Sequence, residues 1–171
     1  MLVARIDRVS PEDWPRLRDV RFRALADEPD AYGSSLEREG AYLEEDWRRL
    51  AEAGPWWLAV DGGADVGIVA GGRHEVPEER WVYSMWIEPS QRGNGVAEQL
   101  LGEVVTWAIA EGAPRLGLDV TDRVPRARRF YERFGFVVRG RARPLPRDRS
   151  IELTEMVLEL RAITGVPEER R

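Results

Sequence analysis

The sequence predicts an α/β fold, one domain of seven strands and four helices. Three observations point to it. The 171 residues are 43% hydrophobic, enough for one substantial core and too short for two domains of ordinary size. Segments with strand periodicity and segments with helical periodicity follow one another without an internal repeat or an interdomain linker. Near the middle, a glycine loop joins an apolar strand to a long helix with an apolar stripe.

Taken in order, Leu2 to Val9 alternates apolar and polar residues as a half-buried strand does. Ser10-Pro11-Glu12-Asp13 supplies a cap, a first-turn proline and two acids for the positive end of a helix. Trp14, Leu17, Val20, Ala24 and Leu25 carry that helix to Asp27-Glu28-Pro29, where the proline stops it. A second helix is predicted over Tyr42 to Ala53, ending at Gly54-Pro55. Trp56 to Val60 and Val66 to Gly72 read as a hairpin about Asp61-Gly62-Gly63, and Trp81 to Ile87 as the fourth strand. Then come a helix from Ala97 to Glu111, a strand at Leu116 to Thr121 and a helix over Arg126 to Phe134. Strands at Phe136 to Arg143 and Ile151 to Leu160 close the fold, with Pro144, Pro146 and Arg147-Asp148-Arg149 between them. The domain is expected over residues 1–165, with 166–171 as a flexible tail.

Composition excludes several classes. There is no cysteine, hence no disulfide frame, thiolate nucleophile or Cys-based metal site. A net charge of −5 argues against nucleic-acid binding, which draws on a basic surface to displace counterions from phosphates. No apolar run approaches a membrane span and the N-terminus lacks a signal-peptide core, so the expected location is cytoplasmic. Every basic residue is Arg and none is Lys, a bias that reads as genome composition; it also leaves no side-chain amine for self-modification.

Function is concentrated in Met85-Trp86-Ile87-Glu88-Pro89-Ser90-Gln91-Arg92-Gly93-Asn94-Gly95-Val96-Ala97. Pro89 ends the strand, and Gly93 and Gly95 permit backbone conformations closed to other residues. The following stripe of Val96, Leu100, Leu101, Val104, Val105, Ala108 and Ile109 places this loop at a helix N-terminus, where free amides and the dipole hold a pyrophosphate, with Arg92 to pair charge. A nucleotide P-loop is excluded because it needs lysine, and a dinucleotide fingerprint is disfavoured because its third glycine position is Glu98.

Arg92-Gly93-Asn94-Gly95-Val96-Ala97 resembles the pyrophosphate loop of the GNAT acetyltransferase family, Gln/Arg-x-x-Gly-x-Gly/Ala. Ala127, Phe130, Tyr131, Gly135 and Phe136 resemble the family's Asn-x-x-Ala-x-x-Leu/Phe-Tyr-x-x-x-Gly-Phe block, and Arg21, Ala24, Leu25, Pro29, Ala31 and Tyr32 resemble a helical segment of many bacterial members. The resemblance covers nearly the whole chain. It implies a mixed, mostly antiparallel sheet, splayed between its fourth and fifth strands, that binds acetyl-coenzyme A as co-substrate and acetylates an amine of a small molecule or peptide. Met85, Trp86 and Ile87 would pair with the pantetheine arm, an amide near Ile87 would polarise the thioester, and Arg92 to Ala97 would hold the pyrophosphate. Tyr131 would be the general acid for the departing thiolate; its competing role is to pack with Ala127 and Phe134 on one helix face.

Two departures stand out. The family's Asn is Val124 here, so its polar contact is missing or comes from Thr121, Asp122 or Arg128. Where several relatives carry a base on the fourth strand, this chain has Trp81 and Tyr83, leaving a water chain to Glu37, Glu79 or Asp119. These departures keep a second reading open, a sensor that binds acyl-coenzyme A without turnover. A third is an interaction protein that keeps only the fold. His74, the only histidine, is expected on a surface loop, and no metal site is predicted. Trp56-Trp57 and Trp81/Trp86 are core candidates, with an aromatic acceptor pocket or a dimer face as alternatives; a homodimer, common in the family, stays open. The Arg126-Ala127-Arg128-Arg129 run is either a solvated face or a source of phosphate contacts. Segments 29–39, 73–80 and 144–150 are expected to shape the acceptor's entrance.

Overall fold

A computed structural model describes residues 4–160; the domain end at 165 and the predicted tail lie outside the described residues. Its elements are β1 (Arg5–Arg8), α1 (Trp14–Asp27), α2 (Leu36–Gly40), α3 (Glu44–Ala53), β2 (Trp56–Asp61), β3 (Ala64–Arg73), β4 (Arg80–Ile87), α4 (Val96–Ala110), β5 (Arg115–Thr121), α5 (Pro125–Phe134), β6 (Val137–Val138), β7 (Arg143–Leu145) and β8 (Asp148–Glu159). They build one mixed α/β domain around an eight-stranded sheet of order β1-β2-β3-β4-β5-β8-β6, with β7 also on β8. Every pair is antiparallel except β4 with β5.

Side-chain alternation divides the core between the two sheet faces. On one, Trp57, Ala59, Val69, Val82, Leu116 and Leu118 pack against Leu100, Leu101 and Val104 of α4 and Tyr131 of α5. On the other, Trp56, Leu58, Ile68, Ala70 and Trp86 meet Leu17, Val20 and Ala24 of α1 and Trp47 of α3. The stripe predicted for α1 is this buried face.

Two parts differ from expectation. The segment predicted as one strand over Phe136 to Arg143 forms two short strands. Gly140, at φ 75°, breaks the ladder between β6 and β7, which pair with different stretches of β8. Pro144, expected to separate strands, lies inside β7, and its missing N–H is tolerated because β7 is bonded on one side only. The second difference is α2, read as loop. Its five residues are too short to show a period, but Ser35 caps them by accepting from the Arg38 amide at 3.2 Å.

A buried ion pair ties α2 to α1. Arg21 donates to Glu39 through Nε (2.9 Å) and Nη2 (2.8 Å), both side chains being within a few per cent of full burial. The Arg21 guanidinium also lies 4.7 Å from the Tyr32 ring.

Candidate active site

The site is an opening in the sheet. β4 and β5 pair only at Arg80↔Leu116 and Trp81↔Gly117, whereas the β5–β8 ladder runs unbroken from Arg115↔Glu159 to Thr121↔Leu153. At the last β4–β5 pair, Gly117 accommodates the Trp81 ring: a Cβ there would lie 2.1 Å from it. On β4 the ladder to β3 shifts between Ile68 and Ala70, and opposite that shift Ser84 takes φ 57°, a conformation uncommon outside glycine. Beyond Trp81 the β4 edge facing β5 is therefore unpaired.

Two adjoining cavities occupy the opening. The inner one, about 80 Å³, is walled by Val82 to Met85 of β4, Leu118 to Thr121 of β5, and Glu28, Ala31 and Tyr32 above. The outer one, about 210 Å³, is lined by Met85, Trp86, Ile87, Gln91, Arg92, Gly93, Ala97 and Glu98, and by Arg126, Phe130 and Arg133 of α5. Glu28, Met85, Val124, Ala127 and Tyr131 line both. The Tyr131 ring is buried, and its hydroxyl has no hydrogen-bond partner among the described residues. Burial pushes this phenol's pKa up, so it stays protonated at neutral pH. Tyr32, also raised by burial, donates to the Met85 carbonyl oxygen at 3.3 Å.

The glycine loop has the predicted geometry. Gly93 has φ 81° and Gly95 φ 86°, and Gly95 is the N-cap of α4 without a side-chain cap bond. The first-turn amides of α4 are thus left to solvent or a ligand. Arg92 is turned back onto the protein, donating to the Ile87 carbonyl at 3.0 Å and pairing with Asp27. Burial raises the Asp27 pKa, but bonds from Trp86 and Arg92 more than offset this and hold it below the usual range. Val96 is buried under the loop, while Asn94 is exposed and reaches Gln91 at 3.4 Å.

The other expected residues divide clearly. Arg128 pairs with Glu132 at 2.9 Å on the exposed side of α5 and lines neither cavity. Arg126 and Arg133 line the outer one, and Arg126 pairs with Glu28. Positions 126, 130 and 133 form one helical face, a spacing that marks these arginines in the sequence. Of the candidate proton acceptors, Glu37 is exposed on α2. Glu79 is locked to Arg139 at 2.7 and 2.8 Å, which lowers its pKa. Only Asp119 lines the opening. Its Oδ2 accepts from Arg143 at 2.6 Å, its Oδ1 is buried without a partner, and burial raises its pKa against the opposing charge of Arg143. At the missing Asn, Val124 is a buried apolar wall of both cavities; nearby Thr121 lines the inner one, and its Oγ1 is buried without a hydrogen bond. Asp122 instead accepts from the Glu152 amide at 3.1 Å. His74, expected on the surface, is half-buried and stacks on Trp81 at 3.9 Å. Among the described residues no group of His, Asp and Glu could hold a metal ion, and no helix is long and apolar enough to cross a membrane.

An open parallel pair with a glycine-capped helix at its mouth is the arrangement the motifs implied. Residues 17–136 match the family model for the acetyltransferase (GNAT) family, and the chain belongs to that family. Solved structures agree in fold. A GNAT-family acetyltransferase from Streptococcus pneumoniae, 24% identical, superposes with a TM-score of 0.76 over 92% of this chain and 99% of that one. The yncA structure from Salmonella typhimurium, with its cofactor acetyl-CoA, is 16% identical with a TM-score of 0.74 over 99% and 98%. The ribosomal-protein-S18-alanine N-acetyltransferase of Escherichia coli, 16% identical, gives 0.66 over 92% and 94%. No curated protein matches the chain in sequence.

Proposed function

We propose that this protein is an N-acetyltransferase that moves an acetyl group from acetyl-coenzyme A to a primary amine of a small molecule or peptide by direct attack in a ternary complex. The observation that carries the reading is the position of Tyr131, an unbonded phenol at the junction of the two cavities, beside the unpaired edge of β4. The outer cavity suits the donor. Met85 to Ile87 would pair with its pantetheine amides, Gly93 to Ala97 and the α4 dipole would take the pyrophosphate, and Arg126 and Arg133 would add charge at its mouth. A bound donor would supply the acyl carbon and a thiolate leaving group.

The chain's own residues account for the protons. Asp119, directly or through a water, accepts the proton that an alkylammonium must shed before its nitrogen can attack. The new C–N bond would form as the C–S bond breaks, the Tyr131 hydroxyl would give the sulfur its proton, and the second proton shed by the acylated nitrogen would restore the phenol. Holding the amine and the acyl carbon together in the opening supplies much of the acceleration. The chain has no cysteine to carry the acyl group as a thioester, which favours direct transfer.

Initial velocities of free-thiol release over a panel of amines test this reading. Intersecting double-reciprocal lines are expected. Parallel lines would point to a covalent acetyl-enzyme, and cofactor binding with no product from any amine would favour the sensor reading.

A further inference from the structure

A third cavity lies outside the machinery just described. It has a volume of about 400 Å³, within the range of roughly 300–1,000 Å³ typical of small-molecule sites. Its walls come from α1, the 33–42 segment, the end of α3 and strands β3 and β4, and it shares Tyr83 and Ser84 with the inner cavity of the sheet opening. The two cavities therefore adjoin at these residues.

The charges at its two ends have opposite sign. The third cavity is lined by Arg21, Arg38 and Arg73, with Glu39 as its only acid; Arg73 also pairs with Glu111 at 3.8 Å. Glu39 is already committed to Nε and Nη2 of Arg21, while Arg21 Nη1 and Ser34 Oγ are buried donors without a partner. Leaving the donor of a buried charged group unbonded carries its full desolvation cost, so such a group is poised for an acceptor that completes it. Arg38 has no ion-pair partner among the described residues. The inner cavity, by contrast, holds Asp119 with a free carboxylate oxygen.

Resting on the acetyltransferase reading, we infer that the acceptor is a small amine whose carboxylate lies several bonds from the nitrogen, an ω-amino acid or short peptide. Its ammonium lies toward Asp119. Its carboxylate is held by Arg38 and, after a small shift of the 33–38 segment, by Ser34 and Arg21 Nη1. The two-ended charge pattern rejects an uncharged or dicationic amine by leaving the arginines unanswered.

The test compares free amino acids of graded length with their carboxamides by two readouts. Quenching of tryptophan fluorescence reads occupancy, since Trp56 lines the cavity, and thiol release reads turnover. Carboxylates are expected to be preferred over the amides at least about tenfold by both readouts. Arg38→Gln and Ser34→Ala should each erode the preference while leaving acetyl-coenzyme A affinity unchanged. An Arg21→Gln/Glu39→Gln double variant removes the ion pair without stranding either charge and should abolish it. Equal response to acids and amides, or a preference that survives all three variants, would overturn the inference. Carboxylate binding without turnover in a protein that fails to bind acetyl-coenzyme A would instead sink the acetyl-transfer reading and leave the anion site standing.

Discussion

In the proposed mechanism Tyr131 and Asp119 divide the proton chemistry between them, and burial shifts both pKa values upward. A raised phenol stays an acid at neutral pH, and a raised carboxylate is a better proton acceptor than one in water. Tyr131→Phe keeps the ring packing on Phe130 and Phe136. It is expected to lower kcat by about 10²–10⁴-fold, the usual worth of general acid catalysis, with acetyl-coenzyme A affinity unchanged; unaltered turnover would remove the phenol from the mechanism. Asp119 must be ionised to accept a proton, so activity should rise as pH climbs through its raised pKa, and Asp119→Asn should lose that acid limb along with most turnover. Stability runs the other way. The native fold holds the Asp119 proton more tightly than the unfolded chain, so this group favours folding at low pH, and its contribution is lost as pH rises through the raised value. Thermal melts near neutral pH should show Asp119→Asn no less stable than the parent beyond the loss of the Arg143 contact. At this scale the sequence was legible in local geometry, as in the left-handed backbone at Gly93 and Gly95 and the placement of Tyr131 on the cavity wall. It was not legible for Arg128, because four neighbouring positions on a helix point in different directions; helical spacing groups Arg126 with Arg133, and the packing of α5 shows that theirs is the face bordering the cavity.

Among the elements, the opening of the sheet depends on the single short contact between β4 and β5. Gly117 accepts the Trp81 ring there, so Gly117→Ala must displace the indole or part the strands. A destabilisation of about 1–3 kcal/mol is expected, as for other overpacked sites, read from urea unfolding. Loss of cofactor binding should exceed what unfolding alone explains, because the pair sets the angle of the opening; a neutral result would show the contact to be slack. Helix ends and hairpins were legible because Ser10-Pro11, Asp27-Glu28-Pro29 and Asp61-Gly62-Gly63 carry local chemistry. The division of β6 from β7 and the presence of α2 were not. Gly140 and the Ser35 cap are local signals too weak to read alone, and the register of β8 and the buried Arg21–Glu39 pair complete the two features.

For the molecule as a whole, one domain with an acidic net charge places arginines at two of its openings. Arg126 and Arg133 border the outer cavity, and Arg38 and Arg73 border the third. Composition alone showed the acidic balance and gave no sign of this placement, since the arginines involved come from α2, β3 and α5. The splay was readable only through the resemblance, because the point where two strands part depends on packing about Trp81 and Ser84 that no local pattern encodes. The most direct test of the account is calorimetric titration of the folded protein with acetyl-coenzyme A, with desulfo-coenzyme A and NAD as controls. Saturable one-site binding of both coenzyme A compounds and none of NAD is expected. Absence of binding at millimolar acetyl-coenzyme A would contradict it.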